Sequence, residues 1–143
     1  MHAIEVSETG GPEVLRYVDT PTPEPGPGEV LIKAEAIGVN YIDTYFRSGQ
    51  YPRSLPFILG QETSGTVVDT GEGVDGFTAG DRVATAAASG GYAEYATAPA
   101  SFTAALPDGV AADVAASALL KGLTAHYLLK SVYSVQAGDT VLV

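Results

Sequence analysis

The 143-residue sequence has no cysteine, no tryptophan and only two histidines, and seven lysines and arginines stand against 17 aspartates and glutamates. Without cysteine there is no disulfide framework and no thiolate for catalysis or metal binding. A net charge of −10 argues against nucleic acid as a partner, because binding there needs a basic surface that releases phosphate counterions. It argues equally against an anionic membrane face. No apolar run reaches membrane-spanning length, and Met1-His2-Ala3-Ile4-Glu5 lacks the basic start and apolar stretch of a signal peptide. These features point to the cytoplasm. There is no Gly-x-Ser-x-Gly elbow, and neither His2 nor His126 has an evident serine partner, so nucleophilic catalysis finds no support.

What is present describes one globular domain with a core: 45% hydrophobic residues and 17% charged. His2, Ile4 and Val6 alternate with Ala3 and Glu5, and a second β segment, Val14 to Val18, comes after the turn signal Gly10-Gly11-Pro12. Pro21, Pro23, Pro25 and Pro27 then fix an extended surface connector. Val30 to Val39 reads as a strand with Lys33 and Glu35 on one face and Val30, Ile32, Ala34 and Ala36 on the other. Ser64 to Thr70, Val83 to Ala88, Tyr92 to Ala98 and Phe102 to Leu106 read as further strands between turns. Many short strands with Gly and Pro turns predict a mainly β barrel or sandwich with a few helices. After Pro107-Asp108-Gly109 the pattern becomes helical. Ala111 to Leu119 is alanine-rich, Gly122 is expected to interrupt it, and a second helix is expected from about Thr124 to Tyr133, with Leu128, Leu129 and Val132 as its apolar stripe. Thr140 to Val143 reads as the start of a buried parallel strand.

Chemistry gathers between Gly38 and Glu62. Asn40 stands at the N-cap position of a short helix, and Asp43 lies in its first turn, where a carboxylate suits the helix dipole. Ile42 and Phe46, Tyr41 and Tyr45, and Asp43 and Arg47 are each four apart, and Asp43 is expected either to orient the helix or to pair with Arg47. Ser48-Gly49 ends the helix, and Gly60-Gln61-Glu62 comes after a Pro-punctuated loop. Gly71-Glu72-Gly73-Val74-Asp75-Gly76 satisfies the spacing of a dinucleotide fingerprint. The next segment, Phe77-Thr78-Ala79-Gly80-Asp81, is another turn and not a helix, and Glu72 and Asp75 repel phosphate; these glycines are expected to serve a surface turn.

Gly38-Val39-Asn40-Tyr41-Ile42-Asp43, Gly60-Gln61-Glu62, Ala79-Gly80-Asp81-Arg82-Val83, Gly90-Gly91-Tyr92-Ala93-Glu94-Tyr95 and Lys121-Gly122-Leu123-Thr124-Ala125 succeed one another through nearly the whole chain. With these blocks the sequence resembles the zinc-independent, zeta-crystallin-like quinone oxidoreductases of the medium-chain dehydrogenase/reductase superfamily. The resemblance implies a GroES-like partly open β-barrel over residues 1–125. It assigns 126–143 to a connecting helix and the first strand of a nucleotide-binding Rossmann domain, the remainder of which is missing from the chain. It also implies NADPH as cofactor, a small quinone or enone as substrate, and a homodimeric parent enzyme. Zinc-dependent relatives carry a cysteine where Asn40 stands and a histidine where Gln61 stands. Neutral amides are poor zinc ligands, so no metal is expected.

The resemblance places Asn40 and Tyr45 at the reacting centre. It places Asn40, Tyr45, Tyr51, Gly122 and Thr124 against the cofactor. An amide at 40 offers donors and an acceptor to a nicotinamide ribose or carboxamide, and it also serves as a plain N-cap. Tyr45 is read with equal ease as a half-buried aromatic, whereas Tyr51 reads first as an exposed loop tyrosine and second as a cover over the cleft. A helix break at Gly122 is expected to free backbone N–H groups beside the Thr124 hydroxyl, and Lys121 is expected to be solvated. Glu62, with no metal to attend, is expected to make a structural hydrogen bond. Hydride transfer asks little of the protein beyond holding two flat rings together. An enoyl-thioester or enone reductase of the same superfamily, and a crystallin-like cofactor-binding protein without turnover, remain as alternatives. The 143 residues alone are expected to be inactive.

Overall fold

The computed structural model describes residues 1–142 and has two antiparallel sheets and two helices. Strands β1 (His2–Val6) and β2 (Leu15–Asp19) pair as a hairpin, with a single 3-10 turn, Pro12–Val14, leading into β2. β3 (Glu29–Gly38) is the long strand that the alternation predicted. Its Val30 and Ile32 are fully buried, and Lys33 and Glu35 face out. After α1 (Tyr41–Ser48) come β4 (Phe57–Ile58), β5 (Glu62–Thr70), β6 (Arg82–Thr85), β7 (Tyr95–Pro99) and β8 (Thr103–Ala105), then α2 (Ala112–His126). The smaller sheet runs β2-β1-β4 and the larger runs β7-β3-β5-β6-β8.

Residues 92–94 tie the sheets together. The Ile4 N–H donates to the Tyr92 carbonyl at 2.8 Å, and the Ala34 N–H donates to the Glu94 carbonyl at 2.9 Å. Two register shifts in the β3–β5 ladder, at Leu31/Ile32 and Ala34/Ala36, bend the larger sheet into a half-barrel. One core cluster, Val30, Ile32, Val67, Val83 and Ala98, lies inside that curve with Val74 and Phe77 against it. A second, Val6, Val14 and Leu59, packs against Phe46, Phe57 and Tyr92.

Several expected boundaries shift. β7 begins at Tyr95 and not Tyr92, because residues 92–94 spend their backbone groups on the cross-link between sheets. β6 stops at Thr85, whose hydroxyl accepts from the Ala87 N–H at 3.0 Å and turns the chain away. The two-residue β4 is too short to show in periodicity. α2 runs unbroken through Gly122 to His126 and continues as a π-type turn, Tyr127–Val132. The expected break at Gly122 is therefore absent: one glycine costs a helix only about 1 kcal/mol, which the flanking alanines and leucines outweigh. Residues 140–142 make no strand, since they meet no neighbouring strand to complete a ladder, and Val143 lies outside the described residues. The glycine-rich segment 71–76 forms a turn with no helix after it, as expected.

β3 and β5 approach so closely that a Cβ at Gly65 would collide with the Lys33 carbonyl. Backbone cannot yield as a flexible side chain can. Gly65→Ala is therefore expected to cost about 1–3 kcal/mol through overpacking. Gly73→Ala, where a Cβ meets nothing within 4 Å, is expected to cost about 1 kcal/mol from its left-handed backbone alone. Thermal unfolding of the two variants side by side measures the difference.

Candidate functional site

The site is built around two buried carboxylates. Glu62 opens β5 and is fully buried. Its Oε2 accepts from Asn40 Nδ2 at 2.7 Å and from Lys121 Nζ at 2.8 Å, and its Oε1 accepts from the Leu120 backbone N–H at 2.8 Å. A charge removed from water requires this kind of compensation, because effective desolvation penalties reach several kcal/mol per ion. Gly38 makes the approach possible. Any Cβ there would strike both the Glu62 carboxylate and the Ala116 carbonyl, so α2 descends onto β3 only over a bare backbone.

Asp43, 3% exposed, is the second carboxylate. Its Oδ2 accepts from the Asn40 backbone N–H at 2.9 Å and from the Tyr92 hydroxyl at 2.7 Å; its Oδ1 has no partner among the described residues. Asp43 thereby anchors the first turn of α1 to the glycine-rich segment before β7. Of the two roles expected for Asp43, it takes that of orienting the helix, and the pair with Arg47 that spacing allows is not formed. Asp43 turns inward to those donors, and Arg47 Nε instead donates to the Gly10 carbonyl at 3.2 Å. Burial, and then the hydrogen bond to Asp43, push the Tyr92 phenol well above its ordinary range and keep it a donor.

Asn40 is the N-cap of α1, and Gly49 closes that helix in the left-handed conformation, both as expected. Asn40 and Thr124 come together in one open, largely apolar cleft of about 560 Å³ between α1 and α2, with Val39, Tyr41, Leu120 and Lys121 on the same walls. The Thr124 hydroxyl donates to the Leu120 carbonyl at 2.9 Å within its own helix. Since α2 is continuous, no backbone N–H groups are freed beside it. Gly122 is exposed, away from the cleft walls, and a Cβ there would meet nothing within 4 Å. Tyr45 and Tyr51 form a neighbouring aromatic group. Tyr45 meets Tyr41 edge-on at 5.3 Å and Tyr51 at 5.2 Å, and the Tyr51 N–H donates to the Tyr45 carbonyl at 3.0 Å. Lys121, expected to be solvated, is paired to Glu62. His2 stacks on Tyr17 and pairs with Asp19 at the surface, and His126 is exposed. Among the described residues no three His, Cys, Asp or Glu side chains cluster as a metal ion would need.

Residues 26–108 match the alcohol dehydrogenase GroES-like domain family. The chain belongs to that family. Quinone oxidoreductase of Pseudomonas aeruginosa is 46% identical over 141 residues, which are 97% of this chain and 43% of that protein. A mycobacterial protein solved in complex with NADPH superposes at a TM-score of 0.96 with 68% identity, over 97% of this chain and 44% of that one. Escherichia coli quinone oxidoreductase, also solved with NADPH, superposes at 0.92 with 43% identity, over 95% of this chain and 42% of that one. The chain thus spans less than half the length of these relatives. The GroES-like barrel expected from the sequence is the observed fold.

Reading by position missed two parts of this GroES-like site: the Lys121–Glu62 pair and the Tyr92–Asp43 bond. One signal for the first was available, since Glu62 is the single acid at the head of the buried run Thr63-Ser64-Gly65. Tyr92→Phe is expected to cost about 1.5–3 kcal/mol, the loss of a hydrogen bond to a charged group. The phenol's folded value lies above its unfolded value of about 10, so its contribution is complete below about pH 10 and fades as pH rises beyond that. Unfolding curves recorded from pH 8 to 11 are expected to show that alkaline loss in the unaltered protein and a smaller one in Tyr92→Phe.

Proposed function

We infer that the full-length protein is a cytoplasmic NADPH-dependent quinone oxidoreductase that works without zinc. The chain corresponds to its GroES-like portion, with a nucleotide-binding domain completing the cleft. The observation that carries the reading is the chemistry of the cleft itself. Its polar side chains are the Asn40 amide, the Tyr41 and Thr124 hydroxyls and the Lys121 ammonium on otherwise apolar walls. The Lys121 ammonium, 2.8 Å from Glu62 Oε2, already supplies the positive charge that a metal ion would bring to that carboxylate. A flat ring with one hydrogen-bonding edge fits such walls. NADPH, when bound, supplies the hydride.

This chain's own residues bind and orient. Val39, Ile42 and Leu120 offer apolar contact to the ring, and Asn40 and Thr124 offer polar atoms to its edge. Tyr45 and Tyr51 offer an aromatic surface to a flat acceptor beside it. Exposed Leu123, Tyr127, Leu128 and Val132 along α2 and the turn after it supply an apolar surface for a further domain to cover. The naming of relatives at 40–46% identity supports quinones over enoyl thioesters as acceptors.

The test is NADPH oxidation by the full-length protein with a panel of quinones and a crotonyl thioester, in the presence of a chelator. Quinone-dependent turnover unaffected by the chelator is expected. Abolition by chelation, or turnover of the thioester alone, rejects the reading.

A further inference from the structure

We propose that Lys121 is a positioning residue that acts through Glu62 to fix the Asn40 amide at the cleft, a role that rests on the nicotinamide reading above. The Lys121 ammonium and the Asn40 amide nitrogen donate to the same oxygen, Glu62 Oε2. The two groups therefore lie within two hydrogen-bond lengths of each other, although they come from different helix regions. Glu62 is fully buried, whereas the Lys121 side chain is 48% exposed on the cleft wall. The lysine thus carries charge from the cleft to a carboxylate that water does not reach. Its removal leaves a buried charge uncompensated, which is costly even where the intact pair contributes little.

The same geometry orients Asn40. A carboxylate accepts and does not donate, so the NH2 end of the amide faces Glu62 and the carbonyl end is turned away from it. An asparagine free to flip would offer either end to a ligand. The Asn40 carbonyl end takes the Asp43 N–H in the capping box of α1 and, with the NH2 end held by Glu62, keeps one lone pair for a ligand group that donates, such as a carboxamide NH2 or a ribose hydroxyl. Lys121 thereby sets specificity without touching the ligand.

Asn40 is the only asparagine in the 143 residues, which favours a spectroscopic test on the full-length protein labelled with 15N-asparagine. The Asn40 side-chain amide pair is identified by its loss in Asn40→Ala. Lys121→Met is expected to shift or broaden that pair in the cofactor-free protein, and Lys121→Arg to leave it near its original position. In a double-mutant cycle, Lys121→Met is expected to raise the Kd for NADPH about tenfold alone but less than about twofold in the Asn40→Ala background. If Lys121→Met does not fold, Lys121→Gln takes its place; it removes the charge opposite Glu62 and is expected to shift the Asn40 pair and raise the Kd in the same direction. An unmoved Asn40 signal, or an undiminished Lys121→Met effect in the Asn40→Ala background, overturns the proposal. Failure of the unaltered protein to bind NADPH, with the Asn40 signal still responding to Lys121→Met, overturns the nicotinamide reading and leaves the positioning role standing.

Discussion

A carboxylate with no access to water is the constraint that the site depends on. Glu62 tolerates full burial because three donors reach it: one from the entry to α1, one from the backbone of α2 and one from the Lys121 side chain. Each donor fixes the segment that carries it. Satisfying one buried charge therefore sets the distance between α1 and α2, and that distance is the width of the cleft. The β-barrel beneath is held by ordinary apolar packing of Val30, Ile32, Val67 and Val83. Its contribution to the site is to hold the first residue of β5 rigidly in place.

Asp43 repeats the device on a smaller scale. It gathers the start of α1 and the Tyr92 hydroxyl, so the helix that bears Asn40 is tied both to β5 through Glu62 and to the junction of the two sheets through Tyr92. Backbone bonds from residues 92 and 94 run onward to β1 and β3. Asn40 is thus over-determined: its backbone N–H, its side-chain amide and its helix are each held separately. Little rotamer freedom is left for a bound ligand to freeze out.

The aromatic residues of α1 and the loop after it are held more loosely. Tyr41 is 76% exposed, and Tyr45 and Tyr51 rest on each other and on Phe46 through ring contacts. Arg53 lies over the rings of Phe46 and Phe57, at 5.8 and 5.0 Å from their centres, and pins the far end of the loop. The cleft wall that carries Lys121 is thus fixed by charge, and the rings beside the cleft are held mainly by contacts with one another.

By itself the sequence determined the mainly β architecture, the short helix with Asn40 as its cap and Gly49 as its stop, and the turn role of Gly71 to Gly76, because each arises from local periodicity, capping or turn chemistry. It also carried the motifs that name the GroES-like family. The tertiary structure decided what local rules could not. Asp43 passes over Arg47 for Tyr92, 49 residues away, and Lys121, still 48% exposed, reaches Glu62, 59 residues away. α2 ignores Gly122, because helix continuity is summed over the whole segment and not set at one residue. A polar side chain's partner is whichever complementary group the fold brings within about 3 Å, and spacing along the chain predicts that only when no better partner arrives from elsewhere.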